Sequence, residues 1–295
     1  MTGMERPENL DLRALLPPAD ELARLIESWL AEDIGRRDIT TETMIPADAE
    51  ATFVLNTRDD IVVCGIGIAA RVFRHHVPGC EVEILTPDGT RAAPGTALAR
   101  IQGPARGLLT AERTALNLLQ FLSGIATRTN EYARLVEGTG ATLIDTRKTV
   151  PGLRQLSKYA ACVGGARNHR LGLHDGVMLK DNHIAIHGSI ARAVAQAKAL
   201  TPALTKIEVE CDTLDQVREA AEAGADVIMF DNMSAATMRE AIAIVAGRAE
   251  TEASGGITLE TIREKAESGV DFISVGRMTQ SAPAADIGLD VSISA

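Results

Sequence analysis

Aromatic side chains are scarce in this chain of 295 residues, of which Phe, Trp and Tyr together make up only 3%. Proteins that bind single-stranded nucleic acid commonly stack the bases on aromatic rings. The formal net charge of −10 at pH 7 would also repel a phosphate backbone. We therefore expect no nucleic-acid partner. Because 45% of the residues are nevertheless hydrophobic, the core must consist mainly of Leu, Ile, Val and Ala.

Paired cysteines, a targeting signal and long apolar runs are also missing. The four cysteines lie far apart, with no CxxC pair and no Cys/His spacing typical of zinc sites, a pattern that favours free thiols in a reducing cytoplasm. The first residues contain no basic segment followed by an apolar one, so no signal peptide is expected. No apolar run approaches the length of a membrane span. These features predict a cytoplasmic protein with no membrane partner.

Positive charge is concentrated in one segment of this acidic chain. Residues 145–183 contain seven Lys or Arg but only three Asp, together with three of the six histidines. A cationic pocket in an acidic protein suits a small polyanion such as a phosphate or a polycarboxylate. The alternative is a basic loop exposed to solvent.

Two patterns of hydrophobicity divide the chain. Residues 19–34 have helical periodicity, strand-like segments follow between 51 and 106, and a long helix is predicted over roughly 109–137, with Thr110 as its N-cap. After residue 138, six short apolar runs alternate with helical patterns, which indicates βα units with parallel strands. The absence of a Rossmann glycine fingerprint favours a closed barrel over an open sheet. We predict an α/β barrel preceded by a small α+β domain.

The chemistry of such a barrel lies at the carboxyl ends of its strands. Glu210 and Asp231 end adjacent predicted strands, where two carboxylates can hold Mg²⁺ bridged to a phosphorylated substrate. Glu208 is an alternative ligand because it lies two residues earlier on the same strand face. Capping of the next helix is the alternative role for Glu210 and Asp231.

Glycines follow the last two predicted strands, at Ser254-Gly255-Gly256 and at Gly276. Glycines at these positions let backbone N–H groups approach a phosphate. The cationic segment supplies further donors for anions, namely Arg147, His169, Arg170 and Lys180. Phosphoribosyl pyrophosphate together with an anionic acceptor fits this combination, although composition alone does not select it.

The order of short motifs is more specific than any one of them. The motifs are ERTALNLLQ at 112–120, LSGIAT at 122–127, DTRKT at 145–149, PGLR at 151–154, KYA at 158–160, RNHRLGLHD at 167–175, KDNH at 180–183, EVE at 208–210, DNM at 231–233, SGG at 254–256 and GVDFISVG at 269–276. In these motifs the chain resembles the quinolinate phosphoribosyltransferase family. The resemblance implies an N-terminal α+β sandwich domain at 1–120, an irregular, TIM-like α/β barrel at 121–295 and a C-terminal tail able to return to the first domain.

The resemblance also implies a reaction and a dimer. Quinolinate and phosphoribosyl pyrophosphate would give nicotinate mononucleotide, pyrophosphate and CO₂ with Mg²⁺, in de novo NAD biosynthesis. The residues implied to bind the quinolinate carboxylates are Arg147, His169 and Arg170. Those implied to contact charged or ribose groups of the substrates are Thr146, Lys148, Lys180, Glu210 and Asp231. All of these except Thr146 are also predicted to be catalytic. Glu210 and Asp231 are in addition the predicted metal ligands. The implied 5′-phosphate site comprises Ser254, Gly255, Gly256, Ser274, Val275 and Gly276. Arg113 matches an arginine contributed by the neighbouring subunit.

Four positions depart from the family pattern, and three alternatives to the assignment remain. Val150 replaces a common Thr, Gln280 replaces a common His, Met278 replaces a common Leu, and Arg277 stands where Ala is usual. The alternatives are a sister family associated with molybdate transport, a Schiff-base aldolase that uses Lys148 or Lys180, and a non-catalytic anion-binding regulator. Intact RNHR and KDNH motifs argue against the first of these.

Overall fold

The structure is a computed structural model that describes residues 11–292. The expectation that there is no signal peptide concerns residues that lie largely outside this range. Among the described residues, no helix is both long and apolar enough to cross a bilayer. The α-helices are α1 Ala19–Ile34, α2 Ile39–Met44, α3 Ile66–His76, α4 Ala105–Val136, α5 Arg154–Val163, α6 Asp181–His187, α7 Ile190–Leu200, α8 Leu214–Ala223, α9 Ala235–Val245, α10 Ile262–Ala266 and α11 Arg277–Gln280. The strands are β1 Glu50–Thr57, β2 Ile61–Val62, β3 Glu81–Ile84, β4 Arg91–Ala92, β5 Ala97–Pro104, β6 Thr142–Ile144, β7 Val177–Leu179, β8 Ile207–Cys211, β9 Val227–Asp231, β10 Glu250–Ser254, β11 Phe272–Ser274 and β12 Ile287–Val291.

Internal contacts divide the described residues into two compact units. The first unit comprises residues 131–154 and 165–281, and the second comprises residues 11–130, 155–164 and 282–292. The predicted α/β class is confirmed, because a parallel sheet with helices is accompanied by a separate antiparallel sheet. The domain boundary after residue 120 stays a prediction.

The second unit contains a four-stranded antiparallel sheet in the order β12-β1-β5-β3. In the same unit, α1 matches the helix predicted over 19–34, and it buries Leu22, Ile26 and Leu30. These residues recur at intervals of four, so they share one face of the helix.

The segment after β2 forms α3, although it lies in the region 51–106 where strand-like segments were predicted. Gly65 interrupts the extended backbone with a φ of +94°, and Asp88 Oδ1 accepts a hydrogen bond from the N–H of Ile66 at 3.0 Å. In the helix that follows, Ala69 and Phe73 are buried on one face. The strand prediction is therefore wrong beyond Val62, because the apolar run was shared between a short strand and the start of a helix.

The long helix was predicted correctly, but its start was not. α4 begins at Ala105, so Thr110 lies inside the helix and is not its N-cap. The Thr110 hydroxyl group instead has two acceptors within reach of its single hydrogen, the carbonyl of Arg106 at 2.9 Å and Asp38 Oδ2 at 3.0 Å. A hydroxyl that bonds back to the preceding turn is compatible with the helix interior.

Gly124 in α4 provides a test of packing in the second unit. A Cβ atom added there would lie 2.0 Å from the carbonyl oxygen of Pro283. We expect Gly124→Ala to destabilise the protein by about 3 kcal/mol, because overpacking forces the backbone apart. Gly67→Ala is the matched control, since Gly67 lies in α3 with no atom within 4 Å of its added Cβ, and it should stabilise by about 0.5–1 kcal/mol. Urea unfolding of both variants measures the difference, and equal midpoints would contradict the prediction.

The first unit is built on a six-stranded parallel sheet in the order β6-β11-β10-β9-β8-β7. All six apolar runs predicted as strands form it, which confirms the βα repeat. Glu210 pairs with Met229, and Asp231 pairs with Ser254. Because paired residues and residues two apart share a face of the sheet, Glu210, Asp231 and Ser254 lie on one face at its carboxyl end.

The sheet also curls, as the contacts of His169 show. His169 lies shortly after Arg167, which forms a parallel bridge with Ile144 of β6. Its ring reaches both Glu208 of β8 and Glu252 of β10. Side chains from the edge and the middle of the sheet therefore converge on one interior point, as in an α/β barrel.

Candidate active site

The carboxyl ends of β7 and β8 bring together two predicted site residues. Lys180 follows β7 directly, and its Nζ lies 2.5 Å from Glu210 Oε2. The Lys180 side chain is 43% exposed and that of Glu210 is 16% exposed, so the ion pair is accessible to a ligand. Such a pair offers both a cation for an anionic group and a carboxylate for a hydroxyl group or a metal.

Asp231 ends β9 beside an unusual residue. Asn232 has a φ of +54°, its Nδ2 donates to Asp231 Oδ2 at 2.7 Å, and its N–H donates to the carbonyl of Ser254 at 3.1 Å. Lys265 of α10 also lies near Asp231. Burial lowers the pKa of Lys265, while the Asp231 charge acts in the opposite direction. Sequence reasoning missed Lys265, because only the packing of α10 brings it close.

Neither strand-end carboxylate caps the helix that follows it. Thr213 caps α8 through its hydroxyl group, together with Gln216 in a capping box. Ser234 caps α9 by accepting a hydrogen bond from the N–H of Thr237 at 3.1 Å. The helix-capping alternative for Glu210 and Asp231 is therefore wrong, and both carboxylates remain available for other roles.

The predicted phosphate site forms a cradle after β10 and β11. The Ser274 hydroxyl group donates to Ser254 Oγ at 3.1 Å, which joins the two strand ends. The side chain of Lys148 passes over Gly276, where an added Cβ would lie 2.8 Å from Lys148 Cδ. Val275 contributes less than predicted to this cradle, because its side chain is buried and its N–H donates to the carbonyl of Ile144.

The cradle extends to residues on both sides of it. Measured from a Cβ added at Gly276, Thr146 Oγ1 and Gln280 Oε1 each lie at 3.6 Å. The departure from the family at Gln280 therefore adjoins the predicted phosphate site. Of the other departures, Arg277 and Val150 are exposed and Met278 is buried.

Gly255 gives a prediction for this cradle. It has a φ of +83°, and an added Cβ would lie 2.3 Å from Asn232 Oδ1 and 2.7 Å from Asn232 N. Gly255→Ala should raise the KM for the phosphorylated substrate by about 10- to 100-fold, since both the strain and the clash displace the cradle. The control is Gly247→Ala, with a φ of +73° and no atom within 4 Å of the added Cβ, which should cost stability but leave this KM unchanged. Steady-state kinetics distinguish the two, and equal KM values would refute a role for the loop.

Two arginines lie together in the cationic segment. Burial, followed by the nearby charge of Arg147, lowers the pKa of Arg170 from its usual value. Arg170 is held in place by the carbonyl of Gly176, which accepts from its Nη1 at 2.9 Å. Arg147 has a buried Nε with no hydrogen-bond partner among the described residues. Arg147 and Arg170, whose charges are near enough to interact, are here called the double-arginine site. Two guanidinium groups with donors to spare suit a ligand that carries two carboxylates.

Residues 146–148 link this pair of arginines to the phosphate cradle. The charge of Arg147 acts on Arg170, while the next residue, Lys148, passes over Gly276. The backbone here is fixed, because the Lys148 N–H donates to Thr146 Oγ1 at 3.0 Å and the Lys148 carbonyl accepts from Thr279 Oγ1 at 2.8 Å. A short segment of chain thus carries donors for two different anionic groups.

The ring of His169 is held by the protein on both sides. Its Nδ1 accepts a hydrogen bond from the N–H of Arg170 at 2.6 Å, and its Nε2 lies 3.1 Å from Glu208 Oε2 and 3.6 Å from Glu252 Oε2. Its backbone N–H donates to the buried carboxylate of Asp145 at 2.8 Å. The structure therefore places His169 beside Arg170, as predicted, but directs its ring nitrogens toward protein groups.

Glu208 and Glu252 are buried beneath this histidine. They line a cavity of about 260 Å³ together with Arg170 and other residues of the first unit. Burial, and next the charge of Glu208, raises the pKa of Glu252 well above its usual value. Sequence reasoning weighed Glu208 only as a metal ligand and did not single out Glu252. The available signal was an acidic residue at an interior position of each strand, in IEVEC and ETEAS.

Arg113, the remaining predicted residue, belongs to the second unit. It lies on α4 and its side chain is exposed. Its contribution to the site of a neighbouring subunit stays a prediction.

A curled parallel sheet with two carboxylates, a pair of arginines and glycine-rich loops at its strand ends is the arrangement of an α/β-barrel enzyme, and these groups suit phosphorylated and carboxylated substrates. Comparison with known proteins identifies the family within this class of enzymes. Residues 38–123 match the family model described as quinolinate phosphoribosyl transferase, N-terminal domain, and residues 125–290 match the one for the C-terminal domain. The chain belongs to the quinolinate phosphoribosyltransferase family.

Individual relatives agree with this assignment. The chain is 42% identical over 275 residues to the probable nicotinate-nucleotide pyrophosphorylase [carboxylating] of Bacillus subtilis, covering 93% of this chain and 94% of the relative. Its fold matches the crystal structure of NadC from Streptococcus pyogenes with a TM-score of 0.90 and 38% identity, covering 94% and 99% of the two chains. The nicotinate-nucleotide pyrophosphorylase from Francisella tularensis gives a TM-score of 0.90 and 39% identity, covering 96% and 100%.

Proposed function

We propose that this chain transfers the phosphoribosyl group of phosphoribosyl pyrophosphate to the nitrogen of quinolinate, with loss of CO₂, in de novo NAD biosynthesis. The products are nicotinate mononucleotide, pyrophosphate and CO₂. The observation that carries this proposal is the adjacent pair Arg147 and Arg170, linked through Lys148 to the phosphate cradle at Gly276. The two carboxylates of quinolinate match the two guanidinium groups, and the 5′-phosphate matches the cradle.

The double-arginine site positions quinolinate, the acceptor of the phosphoribosyl group. The pyridine nitrogen of quinolinate is a weak nucleophile, so the reaction depends on holding it against C1 of the ribose. Arg147 and Arg170 bind the two carboxylates and thereby fix the orientation of the ring. Lys180 and Lys148 add positive charge for the remaining anionic groups of the substrates.

The strand-end carboxylates act on the ribose. Departure of pyrophosphate leaves positive charge at C1, which Glu210 and Asp231 stabilise through their negative charge. The same two carboxylates offer the hard oxygen ligands that Mg²⁺ prefers, so their chemistry fits the predicted metal. When bound, Mg²⁺ neutralises charge on the leaving pyrophosphate oxygens.

Decarboxylation follows from the first step. Once its nitrogen is alkylated, the pyridinium ring accepts the electron pair of the bond between C2 and its carboxylate. CO₂ leaves, and C2 then takes up a proton to give nicotinate mononucleotide. No protein nucleophile is required, and Lys180 Nζ is in any case engaged with Glu210, which weakens the Schiff-base alternative.

We also propose the assembly and location of the protein. A homodimer, or an oligomer built from dimers, would let the exposed Arg113 reach the site of the neighbouring subunit. A cytoplasmic location is supported by the four cysteines, Cys64, Cys80, Cys162 and Cys211, all of which are buried thiols outside any disulfide.

Substrate choice tests the proposed function. Quinolinate should be converted, with equal amounts of pyrophosphate and CO₂ released, whereas nicotinate should react at least about a hundredfold less efficiently. With nicotinate, one arginine of the pair would be left without its carboxylate, and a site built for a charged partner rejects the analogue that lacks it. A coupled assay for pyrophosphate, with ¹⁴C-labelled quinolinate for CO₂, measures both products. Efficient use of nicotinate would exclude the proposal, and binding of phosphoribosyl pyrophosphate without release of pyrophosphate would favour an anion-binding regulator.

A further inference from the structure

Both nitrogens of the His169 ring are already used within the protein. Because Nδ1 accepts the Arg170 N–H at 2.6 Å, it carries no proton. The proton of the ring is therefore on Nε2, which points at Glu208 Oε2. In this arrangement His169 has no ring nitrogen left for a carboxylate of the substrate.

The tautomer of His169 also affects whether a metal ion can bind between His169, Glu208 and Glu252. The ligand atoms of His169, Glu208 and Glu252 all lie within 4.8 Å of one another, a spacing that could hold an ion. A metal, however, needs the lone pair of a ring nitrogen. Nδ1 uses its lone pair for Arg170, and Nε2 carries the proton, so the cluster is better suited to a hydrogen-bonded support than to an ion.

We infer that Glu208 and Glu252 are positioning residues that hold the His169 ring, and that the ring in turn fixes Arg170 for quinolinate. This inference rests on the proposed function. Glu208 accepts from His169 Nε2, and the opposite side of the ring accepts the Arg170 N–H. The charge of Glu208 also acts directly on the Arg170 guanidinium group.

The burial of these carboxylates supports a functional role. Glu208 is 6% exposed and Glu252 is 1% exposed, and each has an Oε1 atom with no hydrogen-bond partner among the described residues. Buried carboxylates that are incompletely bonded cost stability compared with apolar residues of the same size. The two carboxylates beside His169 therefore lower the stability of the barrel, which indicates that their role is to arrange the site.

If Glu208 served only as a counter-charge, its replacement would change quinolinate affinity in the opposite direction. If Glu208 only neutralised the arginines, its conversion to an uncharged residue would strengthen the attraction for the quinolinate dianion. If Glu208 positions His169, loss of its acceptor oxygen would weaken quinolinate binding, while an amide that keeps this oxygen would preserve it. The comparison of Glu208→Leu with Glu208→Gln separates these roles.

The experiment measures the KM for each substrate and the thermal midpoint of the whole protein. We expect Glu208→Leu to raise the KM for quinolinate about tenfold or more, because a buried donor loses its acceptor, and to change the KM for phosphoribosyl pyrophosphate less than about twofold. Glu208→Gln should recover most of the loss, and Glu252→Leu should have a smaller effect of the same kind. Glu250→Gln is the matched control, since Glu250 lines the same cavity on the same strand face as Glu252 but pairs with Lys206, and it should leave both KM values unchanged.

A double-mutant cycle tests whether Glu208 acts through His169. His169→Asn removes the group that reaches Glu208, so adding Glu208→Leu to it should cause little further loss of quinolinate affinity. Fully additive effects would overturn the inference. It would also be overturned by tighter quinolinate binding in Glu208→Gln, by equal changes in both KM values, or by a lower thermal midpoint with no change in KM.

Arg170→Ala distinguishes failure of this inference from failure of the proposed function. If Arg170→Ala leaves the KM for quinolinate unchanged, the double-arginine site is not the quinolinate site, and the proposed function loses its main support. If Arg170→Ala raises this KM strongly while the Glu208 and Glu252 variants do not, only the positioning role is wrong.

Discussion

Replacing Glu210 by Gln, or Asp231 by Asn, is expected to lower kcat by about a thousandfold without unfolding the protein. Both carboxylates lie on one face at the carboxyl end of the sheet, and neither serves as a helix cap. In the proposed reaction they stabilise the positive charge that develops on the ribose, and preorganised charge at such a point contributes about 10²–10³ in kcat. Loss of a ligand should also increase the Mg²⁺ concentration needed for half-maximal rate.

Asp212→Asn provides the control for these two variants. Asp212 is exposed and lies two residues after Glu210, so the same change of charge occurs nearby without loss of a site carboxylate. Its kcat should stay within about twofold of the unmodified protein, as expected for an exposed surface charge. Full activity of Glu210→Gln with Asp231→Asn in one chain, or full activity in the presence of a strong chelator, would contradict the roles assigned to the carboxylates and the metal.

Arg113→Ala and Lys180→Ala should each be nearly inactive alone but should regain activity when mixed under conditions that allow subunit exchange. Lys180 lies in the first unit, bound to Glu210, whereas Arg113 is exposed on α4 in the second unit. If Arg113 completes the site of its partner, a mixed dimer contains one site with both lesions and one with neither. Random exchange then gives mixed dimers in about half of the population, so activity should recover to about a quarter of the normal value.

The matched control pairs two lesions that belong to the same site. Arg147→Ala mixed with Lys180→Ala leaves one lesion in each site of a mixed dimer, so no activity should return. Exchange itself can be followed by mass spectrometry of dimers that carry two different tags. If exchange occurs and Arg113→Ala still fails to complement Lys180→Ala, Arg113 acts within its own subunit or has no role in the reaction.

The strand-end residues of the barrel could be predicted because their positions follow from local periodicity. Each apolar run of the βα repeat ended one residue or less from its observed boundary in β8, β9 and β10. Parallel pairing then placed Glu210, Asp231 and Ser254 on one face. Local patterns failed where one apolar run was divided between two elements, as at β2 and α3 around Gly65, and at the start of α4, where Thr110 lies inside the helix.

The support beneath His169 could not be predicted in the same way. Glu208 and Glu252 are separated by a complete βα unit and lie on strands that are not neighbours, with β9 between them. Their meeting depends on how strongly the sheet curls, and the hydrophobic pattern carries no information on curvature. Lys265 was missed for a similar reason, since the packing of α10 alone brings it to Asp231.

The pairing of β12 with β1 has a consequence for synthesis on the ribosome. Asn56 in β1 and Asp290 in β12 are in contact although they are 234 residues apart. At about 5–20 residues per second, β1 is translated roughly 10–50 s before its partner strand. During that interval, one edge of β1 has unpaired N–H and C=O groups that can join another nascent chain. Slower translation of the barrel would lengthen the period of exposure, so the yield of native protein should depend on how fast the intervening codons are read.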